Sequence, residues 1–274
     1  MKILILAKLD QQDEIVQNFA NSVCMEDVEI DLLNVVQIPS EIPLKMNGEV
    51  IDVCTEYDLT KYYDLQKNNY TQLTNYLTGF PLVKRSSLIG NSMHIVKWYI
   101  QENKIDLVIS GGHVTSKGED VFSSSFTNHL LETLSVPYLA IKNKDNNLHM
   151  DTIAIVREFN TPAKHNLEWL KKIQEKFNSK ILLVKINTSK NSTLEAEMSD
   201  NMKRFAKLNQ LQNFDCITIH AKDKESAILE LIKDKQIDIL SIGHLDRNLI
   251  NTFLRGDLRA DILNHVQVPV YIYN

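Results

Sequence analysis

Two stretches of this 274-residue chain carry the residue types that phosphate binding needs. The first leaves the apolar DLVIS (106–110) through Gly111-Gly112-His113 and reaches Ser123-Ser124-Ser125. The second leaves DILSIG (238–243) through Gly243-His244 and reaches Gly256-Asp257. Phosphates are held by backbone N–H groups that point into a concave turn, helped by a helix N-terminus. Glycine serves where the backbone must take a positive φ or approach the phosphate closely, and a serine hydroxyl adds a donor. Thr115-Ser116-Lys117-Gly118 makes the first stretch richer in donors. His113 and His244 stand where either could touch a ligand near neutral pH, and an ordinary loop histidine fits the same place.

Other chemistries are disfavoured by missing patterns. There is no G-x-S-x-G elbow around Ser123–Ser125, no Walker A Gly-Lys-Ser/Thr, no G-x-G-x-x-G after the first strand and no HExxH. Hydrolase triads, P-loop chemistry and zinc proteolysis are therefore not expected. The three cysteines, Cys24, Cys54 and Cys216, are scattered, which suits reduced thiols in a cytoplasmic protein. A net charge of −5 gives no basic face for nucleic acid. Met1-Lys2 leads straight into one strand's worth of apolar residues, so no signal peptide is expected, and no apolar run approaches the ~20 residues of a membrane helix.

The elements that must position these loops alternate. Short apolar runs at 2–7, 28–36, 81–89, 106–110 and 136–142 read as buried strands, separated by helical spacing. KNKDNNLHM (142–150) is the best linker. Beyond it the order begins again, with strands at 152–156, 180–186, 216–221, 238–243 and 268–274 and a helix from Pro162 to Phe177. Strands alternating with helices imply an α/β fold with two tandem, doubly wound, Rossmann-like domains, each a five-stranded parallel sheet. The expected boundaries are 1–145 and 150–274, with an extra segment at about 37–80 in the first.

The second half repeats the first. An offset of 132 lays Asp106 on Asp238, Gly111 on Gly243 and Val136-Pro137 on Val268-Pro269. Near the N-terminus the offset becomes 150, where Ile3 matches Ile153. The tyrosines Tyr57, Tyr62, Tyr63, Tyr70 and Tyr76 suit either helix packing or an aromatic wall for a ligand. Residues 37–55 suit a flap or a long surface loop.

With this order of elements, the repeat resembles the universal stress protein family in tandem form. The opening of the second copy, IVREFNTPAKHNLEWL (155–170), is similar to the family's first strand and turn. The resemblance implies an adenine nucleotide α-hydrolase-like fold. In the ATP-binding branch it implies a G-x2-G-x9-G-S/T loop after strand four and an acid at the end of strand one. Val114 and Asp246 stand where that loop's second glycine belongs, Ser124-Ser125 where its Gly-Ser would stand, and Asp257 replaces its hydroxyl. Lys8 and Glu158 stand at the strand-one acid.

Carried over residue by residue, the expected cofactor-binding positions are Gly111, Gly112, His113, Ser124, Ser125, Glu158, Gly243, His244 and Gly256. The implied cofactor is ATP or AMP, and no metal or catalytic residue is expected. The implied role is a non-enzymatic, cytoplasmic stress-response module that responds to a small ligand. The alternatives are an interaction scaffold whose sites have decayed and a weak ATP-hydrolysing enzyme. The resemblance also implies pairing of the two domains through their fifth strands, and a homodimer.

Overall fold

The computed structural model describes residues 1–9, 16–20, 22, 28–45, 47–51, 57–77, 83–111, 130, 134–141, 149–160, 163–188, 195–243 and 268–273. Its chain contacts divide into two units, Met1–Val136 and Pro137–Asn274. The fold is mixed α/β with mostly parallel strands.

In the first unit, β1 (Lys2–Leu6), β2 (Glu29–Gln37), β3 (Val83–Gly90) and β4 (Leu107–Gly111) lie in the order β3-β2-β1-β4, all parallel. Ile3–Leu6 and Leu107–Ile109 are buried, as central parallel strands covered on both faces must be. Residues 16–20 and 22 are helical, and two longer helices follow, α1 (Thr60–Leu73) and α2 (Ser92–Glu102). Helix α1 is mostly polar and anchors its end through Arg85, whose guanidinium donates to the carbonyls of Leu73 and Tyr76 at 2.9 and 2.6 Å. Leu73 O, the last carbonyl of the helix, also accepts from the Tyr76 N–H at 3.0 Å.

In the second unit, β6 (Thr152–Val156), β7 (Lys180–Asn187), β8 (Phe214–His220), β9 (Ile239–Gly243) and β10 (Val270–Tyr273) repeat that order as β10-β9-β6-β7-β8, all parallel. The sixth strand is β5 (Tyr138–Ile141), which pairs antiparallel with β10 through Leu139 opposite Tyr271. The edge that β10 would otherwise leave is thereby covered. Helices α3 (Glu168–Phe177), α4 (Glu195–Leu208) and α5 (Lys224–Asp234) complete the described elements.

The helix expected from Pro162 starts only at Glu168. Asn209 explains the delay. Its side chain donates to Ala163 O at 2.9 Å and accepts from the His165 N–H at 2.7 Å, so residues 163–167 are pinned outside helical geometry.

The repeat offsets are physical. Asp106 accepts from the Lys2 N–H at 2.7 Å, and Asp238 accepts from the Thr152 N–H at 2.9 Å. Each aspartate thus clamps strand four of its copy to the start of strand one. Lys104 and Gln236, again 132 apart, both take positive φ (52° and 49°) just after α2 and α5. Each lets the next N–H reach back into the helix, Ile105 to Ile100 O and Ile237 to Ile232 O, both at 3.0 Å. The Ile-Asp pair that opens each repeat is therefore part of the scaffold and not of a ligand site.

Candidate functional site

Helices that connect strands in one direction give way to the other direction where the strand order reverses. In a doubly wound sheet that reversal opens a crevice at the carboxyl ends of the strands. In the first unit it lies between β1 and β4, where Leu6 is beside Ser110. In the second it lies between β6 and β9, where Val156 is beside Ile242. Gly111 ends β4 and is buried, and Gly243 ends β9 and is half-buried. Glu158 follows β6 by two residues. Gly111 and Gly243 thus end strand four of their copies, and Glu158 lies just past strand one of the second. Gly112, His113, Ser124, Ser125, His244 and Gly256 lie outside the described residues.

Both copies take a positive φ three residues after the end of strand one. Leu9 and Phe159, 150 residues apart, take φ of 64° and 51°, a left-handed conformation that few side chains adopt. Phe159 is held in it by burial and by a T-shaped contact with Phe205 of α4, ring centres 5.3 Å apart. The strained turn aims Glu158 and Arg157 in different directions.

Glu158 meets two lysines that the sequence reading did not single out. Lys185 of β7 pairs with its Oε2, and Lys224, the first residue of α5, pairs with its Oε1. Lys185 also donates to the Glu158 carbonyl at 3.1 Å. Burial by itself raises the Glu158 pKa, but the hydrogen bonds and charges of Lys185 and Lys224 outweigh it and hold the carboxyl below its ordinary 4.5. A depressed folded-state value means that this cluster stabilises the protein above pH 4.5 and that the contribution is lost as the pH falls further. The carboxylate is partly solvated, so the acid loss is expected to be no more than about 1 kcal/mol. Urea titrations at pH 6 and pH 3 check this: Glu158→Gln removes that part of the acid dependence, and an unchanged slope contradicts the pairing.

Arg157 points into an aromatic group. Its guanidinium carbon lies 4.8 Å from the ring centre of Phe205 and 5.7 Å from that of Phe159. Its Nη1 bonds His165 Nε2. A guanidinium only donates, so Nε2 is the acceptor of this bond. The imidazole meets the ring of Tyr273 edge-on at 5.1 Å. Trp169 stacks on Tyr271 at 5.4 Å, and the Tyr271 hydroxyl donates to Asn166 O at 3.0 Å. On the strand beside Tyr271, the Ser241 hydroxyl is fully buried and has no hydrogen-bond partner among the described residues.

The first copy arranges the same positions differently. Its strand register places Asn34 where Lys185 stands, and the 132 offset places Ser92 where Lys224 stands. Asn34 is buried, donates to Ala7 O at 3.0 Å and accepts from Asn69 at 2.9 Å and Ser87 at 3.2 Å. The start of α2 is taken by protein groups. The N–H groups of Asn91, Ser92 and His94 donate to Gly48 O, Gln37 Oε1 and Asn91 Oδ1 at 2.9, 2.9 and 3.1 Å.

Gly48 belongs to a small hairpin in the segment read as flap or loop. Lys45 N donates to Glu49 O at 2.7 Å, and Leu44 bridges Val50. Ile38, Ile42 and Val50 pack it against Val36, Ile89 and Leu59, with Tyr62 at the margin. Tyr57, Tyr63 and Tyr70 are 37%, 38% and 49% exposed, so the tyrosine series does not converge into one aromatic wall.

One sequence signal for the missed lysines exists. Lys185 is the only charge inside ILLVKI (181–186), and a cation in a buried strand needs a partner. Nothing in the sequence says which.

No protein-family model matches the sequence, and no curated protein does either. Solved structures do. A universal stress protein from Archaeoglobus fulgidus superimposes with a TM-score of 0.62 at 15% identity, covering 99% of this chain and 95% of that one. A putative universal stress protein from Pseudomonas aeruginosa gives 0.55 at 13%, covering 99% and 92%. The cytoplasmic domain of a prokaryotic cation chloride cotransporter gives 0.54 at 10%, covering 99% and 94%. At such identities the likeness is one of fold. No described helix is long and apolar enough to cross a membrane.

Proposed function

With the universal-stress-protein fold as premise, we propose that this chain is a non-enzymatic stress-response module of two consecutive copies, at 1–145 and 150–274, that binds an adenine nucleotide, ATP or AMP. The reading rests on one observation above the rest. In each unit a strand-four glycine, Gly111 or Gly243, ends beside strand one at the point where the strand order reverses. Ligands of doubly wound sheets bind there. The proposed contacts are Gly111, Gly112, His113, Ser124 and Ser125 in the first copy and Glu158, Gly243, His244 and Gly256 in the second. The antiparallel β5–β10 pair supports joining of the copies through their fifth strands, and the proposal extends to a homodimer in the cytoplasm. Isothermal titration with ATP, ADP and AMP, with and without Mg²⁺, tests the nucleotide part. Heats that saturate with one of them support it, and flat heats with all three remove it.

A second reading, an interaction scaffold, is favoured by the first copy's own chemistry, because internal groups already take the N–H groups at the start of α2. Nucleotide carried through purification and seen in a native mass spectrum excludes it.

A further inference from the structure

We propose that Lys185 and Lys224 form a binding site for a phosphate dianion in the second unit, and that Glu158 is its displaceable internal occupant. The inference deepens the nucleotide reading by naming the side chains that receive a phosphate.

Three facts converge on it. Lys185 is only 8% exposed, and a buried ammonium is costly unless paired. Lys224 opens α5, where the helix's positive end disfavours a cation. The N-cap carboxylate of that helix is engaged elsewhere, since Asp223 accepts from the Ser226 N–H at 2.8 Å. Among the described residues, both ammoniums therefore find their ion-pair partner in the one carboxylate of Glu158.

The charges do not balance. Two ammoniums face the single carboxylate of Glu158, while Asp223 and Glu225 serve the helix N-terminus; a phosphate carrying two charges would match the lysines and accept several of their N–H bonds. Glu158 is free to give way. Its side chain is 39% exposed and sits at the rim of the sheet, so it can turn to solvent. The first copy has none of this, with Lys8, Asn34 and Ser92 at the corresponding positions. The site belongs to the second copy alone.

Inorganic phosphate at low ionic strength is the direct probe, titrated calorimetrically into the full chain. Removing the internal carboxylate charge with Glu158→Gln is expected to tighten phosphate binding by about tenfold or more, because a like charge at contact distance no longer competes. Adding Lys224→Gln to that variant returns the affinity to the wild-type level or below. Should this double variant fail to fold, Lys185→Gln in the same background gives the same loss. AMP gains with Glu158→Gln as phosphate does, and adenosine does not. Equal phosphate affinity in wild type and Glu158→Gln overturns the proposal, as does a gain that survives loss of either lysine. If ATP binds the wild type while phosphate gains nothing from Glu158→Gln, the nucleotide reading stands and this site falls. If phosphate gains and no adenine nucleotide gives heat, the reverse holds.

Discussion

Replacing Gly90 by alanine is expected to remove about 3–4 kcal/mol from the first unit, the combined cost of a strained backbone and an overpacked contact. Gly90 ends β3 with a φ of 153°, where an added Cβ would lie 1.9 Å from the Gly48 carbonyl oxygen and 2.9 Å from Glu49 Cα. The obstacle is backbone, and it cannot easily retreat. Gly48 O accepts from the Asn91 N–H at 2.9 Å, and Val50 N donates to Ile89 O at 3.1 Å. Moving the hairpin away breaks these bonds and uncovers Ile38, Ile42 and Val50. The chain's two tryptophans make the test clean, because Trp98 lies in α2 of the first unit and Trp169 in α3 of the second. In a Trp169→Phe background, denaturant unfolding followed by Trp98 fluorescence reports the first unit. A Gly90→Ala midpoint equal to its parent's means that the hairpin does not sit on β3.

The second large effect concerns a buried polar pair. Asp31 and Tyr99 are each 2% exposed, and the Tyr99 hydroxyl donates to Asp31 Oδ2 at 3.0 Å. Lys2 Nζ lies 3.4 Å from the same oxygen, and Ser86 Oγ lies 3.4 Å from the hydroxyl. The second copy has leucines at both places. Strand register puts Leu182 where Asp31 stands, and the 132 offset puts Leu231 where Tyr99 stands. Either half of the polar pair alone would be costly. Asp31→Leu should cost about 2–4 kcal/mol, since it leaves the buried hydroxyl only its long contact with Ser86 and removes the partner of Lys2. The double variant Asp31→Leu/Tyr99→Leu should recover about 1–3 kcal/mol relative to the sum of the single changes. A double-mutant cycle by urea unfolding measures it, and strictly additive losses contradict the pairing.

The same hydroxyl contributes to the alkaline limit. Burial, followed by the neighbouring Asp31 charge and its hydrogen bond, outweighs the Ser86 contact and pushes the Tyr99 pKa well above its ordinary 10. A raised folded-state value means that its contribution is intact below pH 10 and is lost as the pH rises beyond it. Tyr99→Leu should flatten that alkaline limb.

The sequence alone determined the order of elements, because burial leaves a period in the chain that any buried strand or amphipathic helix must show. It also determined that the order runs twice, at offsets of 132 and 150, and that Gly111, Gly243 and Glu158 reach the carboxyl end of their strands. Tertiary structure decided what those ends can do. Glu158, Lys185 and Lys224 come from three elements separated by 27 and 39 residues, and periodicity reports which face a side chain takes but not what it meets. The same holds for Asn209, which reaches back 44 residues to hold His165, and for Gly48, whose carbonyl meets a strand end from beyond α1. Local spacing fixes short-range backbone geometry. Pairings between distant side chains arise only when the packed sheet brings their charges and hydrogen bonds out of water together.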